Sequence, residues 1–133
     1  MAATAQAQSV ELIVLIGCGL MGLSHLIRPQ LWRDYFATLA ESGAAGMLQK
    51  LMLFEFWPAV LIVAFHPVWS GLGAVVTVFG WLLLVKVCVG LLVPSLALRS
   101  MRTPESAPRS FLPAGVALIV VSGCAGAALL WPG

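Results

Sequence analysis

Four stretches of nearly uninterrupted apolar sequence, 10–27, 47–65, 70–93 and 111–130, constrain this chain more than any other feature. At 1.5 Å per residue even the shortest covers about 27 Å as a helix, close to the thickness of a bilayer core. Lipid offers the backbone no hydrogen bonds, so runs of this length and composition close their own bonds as α-helices. Of the 133 residues, 61% are hydrophobic and 9% charged. A soluble domain carries about a quarter charged residues, and one built from this composition would expose much of its apolar surface. The expected fold is all-α: a single integral membrane domain over residues 1–133, with four transmembrane helices and a short interfacial amphipathic helix.

Punctuation along the chain places the ends. Ser9 is a candidate cap for the first span, with Glu11 in its first turn, where the helix dipole favours a carboxylate. Arg28-Pro29 stops that span. Residues 31–41 then set Leu31, Trp32, Tyr35, Phe36 and Leu39 apart from Arg33, Asp34, Thr38 and Glu41. This is the pattern of a helix lying in the membrane interface, with Trp32 and Tyr35 at headgroup level; a helix packed on the bundle is the alternative. The second span ends at His66-Pro67 and the third begins near Trp69 or Ser70, so the two return side by side. The third span stops at Pro94, and Arg99 to Ser110 reads as a polar connector. Leu15-Ile16-Gly17-Cys18 resembles a lipobox, but with no basic segment before it a retained helix is expected.

Charge fixes an orientation. Arg28, Arg33 and Lys50 surround the first connector, and Arg99, Arg102 and Arg109 fall around the third, while the opposite side carries no Lys or Arg. The positive-inside rule makes those two connectors cytoplasmic and both termini external, as expected for a multi-pass protein of a bacterial inner membrane. A formal net charge of +2 is too thin for a nucleic-acid surface. Cys18, Cys88 and Cys124 lie in separate spans without a CxxC pair and read as small packing residues. Gly19 and Gly22, with Cys18, make a small-residue face on the first span. Ser122/Gly126 and Gly123/Ala127 do the same on the fourth.

Two ionisable groups inside the central hairpin are the main candidates for chemistry. Pairing the spans about the His66 turn sets Lys50 level with Lys86 and Glu55 about 8 Å deeper. A lysine side chain covers much of that distance, so Glu55 and Lys86 are expected to form a buried ion pair. Such a pair can fix the rotation and register of the hairpin, relay protons or cations through Glu55, or meet a ligand or partner. Lys50 is expected to reach back toward water, and Pro58 to kink the second span. His25 and His66 are candidate cofactor contacts, since haem or a pigment needs only one open imidazole nitrogen beside an apolar platform. The bland reading is that His25 is interfacial and that His66 and Glu11 share a surface hydrogen bond. No metal-ligand spacing occurs. Trp57 and Trp81 are placed to pack in the core, face lipid or line a hydrophobic ligand site, with packing the leading expectation, and Trp69 is expected in an aromatic belt.

The pattern Gly22-Leu23-Ser24-His25-Leu26, Arg28-Pro29-x-Leu31-Trp32, His66-Pro67-x-Trp69 and Thr77-x-x-Gly80-Trp81-x-x-x-x-Lys86 resembles small bacterial four-helix membrane proteins of unassigned function. In those relatives an asparagine often follows the turn histidine and a glycine the lysine; here Pro67 and Val87 stand there. The resemblance supports the four-helix fold and transfers no mechanism. The chain is also similar to small multidrug exporters in its four helices, short connectors and early membrane glutamate. Glu11 is the matching position, without the surrounding family context. No enzymatic activity and no cofactor are expected. The leading expectation is a noncatalytic accessory or assembly subunit that contacts membrane lipid and a larger membrane complex or a second copy. The alternatives are a small proton-coupled transporter for a cation or amphipathic compound, and a haem- or pigment-contacting subunit.

Overall fold

The computed structural model describes residues 5–102 and 111–131. Among these the chain is an all-α bundle of six helices: α1 (Ala5–Ile27), α2 (Pro29–Glu41), α3 (Ala44–Phe65), α4 (Gly73–Leu92), α5 (Pro94–Arg102) and α6 (Phe111–Leu130). By length and composition α1, α3, α4 and α6 can each cross a membrane. Their outward faces carry large apolar side chains such as Leu20, Leu82 and Leu130, which is the surface that hydrocarbon requires. Arg109 lies outside the described residues.

Two close helix pairs build the bundle. In the first, α1 and α6 run antiparallel with almost no side chain between them. A Cβ on Gly22 would sit 2.9 Å from the Gly115 carbonyl oxygen, and one on Gly115 would meet His25 and the Gly22 carbonyl. Where the backbones come this close, Ser122 Oγ donates to the Leu15 carbonyl at 2.7 Å. Gly19, Gly22, Ser122 and Gly126 serve this contact, whereas Gly123 faces open space. The second pair is the α3–α4 hairpin, in which Ile62 fills the notch left by Gly80. Val10, Val14, Ile62, Val76, Val121 and Ala125 form the core where the two pairs meet.

The hairpin departs from the expected register. Its loop is longer than the sequence suggested: residues 66–72 connect the spans, and Gly71 takes a positive φ of 57° before α4 begins at Gly73. The Thr77 hydroxyl holds the loop down on the helix start, lying 2.6 Å from the Val68 carbonyl and 2.9 Å from that of His66. The longer loop moves α4 along α3, so that Glu55 rather than Lys50 stands opposite Lys86. Two further differences are local. Ser9 is not a cap, because α1 starts upstream and the Ser9 hydroxyl donates back to the Ala5 carbonyl at 2.9 Å. The polar connector expected over 99–110 is helical in its described part, since residues 94–102 form an amphipathic helix whose Ala97, Leu98, Met101 spacing could have revealed it; residues 103–110 lie outside the described residues.

Helices α2 and α5 close one end of the bundle. Leu39, Met47, Leu51 and Met101 pack together there, with Tyr35, Phe36 and Leu98 against them. The aromatic side of α2 therefore faces protein, and Leu31 alone of its five apolar residues is well exposed. Trp32 stacks on His25 with ring centroids 4.3 Å apart and donates from Nε1 to Ser24 Oγ at 2.8 Å. Phe36 stacks on Phe111. Conversely, Trp57 and Trp81 stand on the outer surface. The core where the two pairs meet is built of aliphatic and small residues, which leaves these two indoles to the apolar exterior.

Candidate functional site: a charged triad in an intramembrane cavity

Residues Leu51–Phe56 of α3 form a π-helical turn instead of an α-helical one. It ends two residues before Pro58, which has no N–H for the Phe54 carbonyl and whose ring crowds that carbonyl at α-helical spacing. Widening the turn relieves the clash. It also changes which side chains share a face. Positions five apart on an α-helix point about 140° away from each other, whereas a turn closed by i to i+5 bonds holds more residues and cuts that angle by more than half. Lys50 and Glu55 are thereby brought to the same side.

The result is a triad. Lys86 Nζ on α4 donates to Glu55 Oε1 at 2.7 Å, and Lys50 Nζ lies 3.6 Å from the same oxygen. Lys50 is drawn inward instead of reaching for water: its side chain is 14% exposed, with the ammonium 5.8 Å from the Phe36 ring centroid. The Lys86 side chain is 56% exposed and marks the rim. Glu55 Oε2 is buried and has no hydrogen-bond partner among the described residues. With both lysines charged and Glu55 ionised, the triad carries one net positive charge.

These groups open onto a cavity of about 400 Å³ to which all six helices contribute. His25, Lys50, Glu55, Lys86 and Ser100 supply polarity toward the α2/α5 end; Cys18, Phe79, Leu83, Ala117 and Leu118 make the walls apolar farther along the spans. His25 Nδ1 contacts the Met21 carbonyl at 2.7 Å, which makes Nδ1 the donor and leaves Nε2 as the ring nitrogen available for a further partner. The cysteines are unpaired thiols, and only Cys18 lines the cavity.

The chain matches no protein-family model, no curated protein and no solved structure.

The second buried polar group lies near the opposite end and does not share the cavity. His66 Nε2 is 3.0 Å from Glu11 Oε1, and His66 Nδ1 is 2.9 Å from Thr77 Oγ1. All three residues are at most 1% exposed, so the expected surface hydrogen bond is instead a core network. The Thr77 hydroxyl has one proton and a carbonyl only 2.6 Å away. Its oxygen is then the acceptor for Nδ1–H, and the close Nε2 to Oε1 contact must itself hold a proton. Imidazolium with carboxylate, and imidazole with carboxylic acid, both satisfy this, and both are neutral overall. Neutrality is what a site sealed from water favours. Both His66 nitrogens are engaged, so neither is open to ligate a macrocycle, and Glu11, the position matching the exporters' glutamate, faces this histidine instead of the cavity. Sequence reasoning placed Glu11 and His66 at one level; it missed Thr77, whose hydroxyl position is set by the loop it secures. Among the described residues no group of three His, Cys, Asp or Glu side chains is arranged to hold a metal ion.

Proposed function

We propose that the chain is a small noncatalytic carrier that binds an amphipathic compound in the intramembrane cavity and couples its movement to a proton on Glu55. The observation that carries this reading is the cavity itself. Its volume of about 400 Å³ falls within the range of small-molecule sites, which are mostly apolar with a few convergent polar groups. An ionisable cluster inside a membrane is costly to maintain and is a functional candidate for that reason. Glu55 Oε2, buried and unpartnered, is the available protonation position.

The proposed setting is a bacterial inner membrane, a reading that draws on the resemblance to small bacterial four-helix membrane proteins. Arg28, Arg33 and Arg102 belong to the segments at the α2/α5 end, and the positive-inside rule assigns that end to the cytoplasm. Both termini are then external.

A second reading, an accessory subunit that packs against a larger membrane complex or another copy, draws on different residues. Gly17 and Gly123 are exposed, and a Cβ at either would meet nothing within 4 Å. Internal packing therefore does not account for them, and small residues on an outer face let another helix approach closely.

Reconstitution separates the two. The purified chain in vesicles with a pH gradient is offered anionic, cationic and uncharged amphiphiles of equal chain length. A carrier gives gradient-driven flux that Glu55→Gln abolishes while the fold survives. Absence of flux for every probe, with stoichiometric recovery of larger membrane subunits from native membranes, replaces the carrier by the accessory reading.

A further inference from the structure

Resting on the carrier reading, we infer that the cavity's ligand is a single-chain amphiphilic monoanion, a medium-chain carboxylate in chemical class, whose head sits on Lys50 and Lys86 and whose chain runs toward Cys18 and Phe79.

Charge selects the head group. Two ammonium groups face one carboxylate, so an anionic head finds cationic partners here and a cationic head finds like charge. Lys50 is the less satisfied of the pair. Its side chain is 86% buried, and its ammonium meets only the Glu55 carboxylate at 3.6 Å and the Phe36 ring face, which leaves part of its three-donor capacity for a further acceptor in the cavity. An ammonium held this way in a low-dielectric wall is completed by a second acceptor. A cationic ligand would meet two lysines and obtain only the Glu55 Oε2 lone pairs, so the balance favours the anion.

Shape selects the tail. The polar lining is gathered toward the α2/α5 end, and Cys18 and Phe79 each lie seven residues farther along their helices than His25 and Lys86, about 10 Å of rise. The walls between are apolar. A cavity of about 400 Å³ accommodates one alkyl chain, not the paired chains of a phospholipid.

The same geometry gives the proton a place in the cycle. When the ligand's carboxylate takes Lys86 and Lys50, Glu55 loses its partner and accepts one proton on its freed oxygens. The cavity gains one proton and one anion together, and its net charge of one is unchanged. Release reverses both steps, so the pair moves without charge accumulating inside the membrane.

Equilibrium dialysis of radiolabelled decanoate against the full chain in phosphatidylcholine nanodiscs tests the assignment, with empty discs as the baseline and decyltrimethylammonium and decanol as competitors. Saturable one-to-one decanoate binding is expected, with both competitors at least about tenfold weaker. Lys50→Met lowers decanoate affinity about tenfold, as loss of a charge-assisted hydrogen bond does, and Lys50→Arg restores it. Glu55→Gln, which removes the competing carboxylate, tightens binding. Tighter binding of the cation, or a decanoate affinity indifferent to both Lys50→Met and Glu55→Gln, overturns the ligand class. Saturable decanoate binding without flux in vesicles keeps the ligand class and removes the carrier; cation flux without decanoate binding does the reverse.

Discussion

Lys50 and Glu55 stand five residues apart on one helix with Nζ and Oε1 separated by 3.6 Å, a pairing that the π turn between them makes possible. Across the hairpin, Lys86 reaches the same carboxylate oxygen at 2.7 Å. One acidic group thus offsets two basic ones.

Removing Glu55 is therefore expected to cost more than removing either lysine. Glu55→Ala leaves two ammonium groups facing each other across the cavity and lowers stability by about 3 kcal/mol, the scale for breaking a buried pair. Lys86→Met costs about 1 kcal/mol or less, because more than half of that side chain is already exposed. Reversible unfolding in mixed detergent micelles measures both, and equal losses for the two variants would contradict the arrangement.

Much of this was legible in the sequence, and the limits have physical causes. Span lengths follow from hydropathy, and Glu55 with Lys86 follows from the cost of a lone charge in lipid. Rotation and register do not. A helix apolar on every side has no amphipathic stripe to say which face turns inward, which is why Trp57 and Trp81 were expected mainly in packing when they face out. The hairpin register depends on how many residues the loop takes up, and a positive φ at Gly71 cannot be separated by composition from a helical glycine. The inward turn of Lys50 depends on the π turn, whose only sequence trace is Pro58.

The corrected register predicts which positions cross-link. In a chain with its three native cysteines replaced by alanine, Leu51→Cys paired with Gly90→Cys is expected to form a disulfide under mild oxidation, since the Leu51 side chain lies 3.0 Å from a Cβ at Gly90. Lys50→Cys with Lys86→Cys, level in the shorter-loop register, is expected to cross-link far less. Electrophoretic mobility after oxidation distinguishes them, and the reverse ranking would restore the shorter loop.

The α1–α6 contact predicts a sharp difference between glycines on the same helix. Gly22→Leu must displace Ile119 and the backbone at Gly115, an overpacking cost of about 1–3 kcal/mol. Gly17→Ala meets open space inside a helix and is expected to raise stability by about 0.4–1 kcal/mol. Thermal unfolding of the two variants in the same detergent is the measurement. A marked loss for Gly17→Ala that appears only when other subunits are present would instead locate an outer contact there.

The Glu11, His66 and Thr77 network predicts non-additive mutations, because Glu11 Oε1, both His66 nitrogens and the Thr77 hydroxyl partner one another inside the core, with Glu11 Oε2 left without a partner among the described residues. His66→Leu strands the Glu11 carboxyl group with no partner for either oxygen, and Glu11→Leu leaves Nε2 without its proton-sharing partner; each is expected to cost about 3 kcal/mol. The double variant removes the unsatisfied group that either single change creates. Its cost is then below the sum of the two by about 1–3 kcal/mol, the range of coupling seen for groups within one network. Thr77→Val adds a separate effect, since its hydroxyl also holds the Val68 carbonyl and with it the loop that sets the hairpin register. A thermodynamic cycle over the four Glu11/His66 variants, read by unfolding in micelles, checks the coupling. Strict additivity would mean that the two side chains are solvated independently, and the proton-sharing network would not exist.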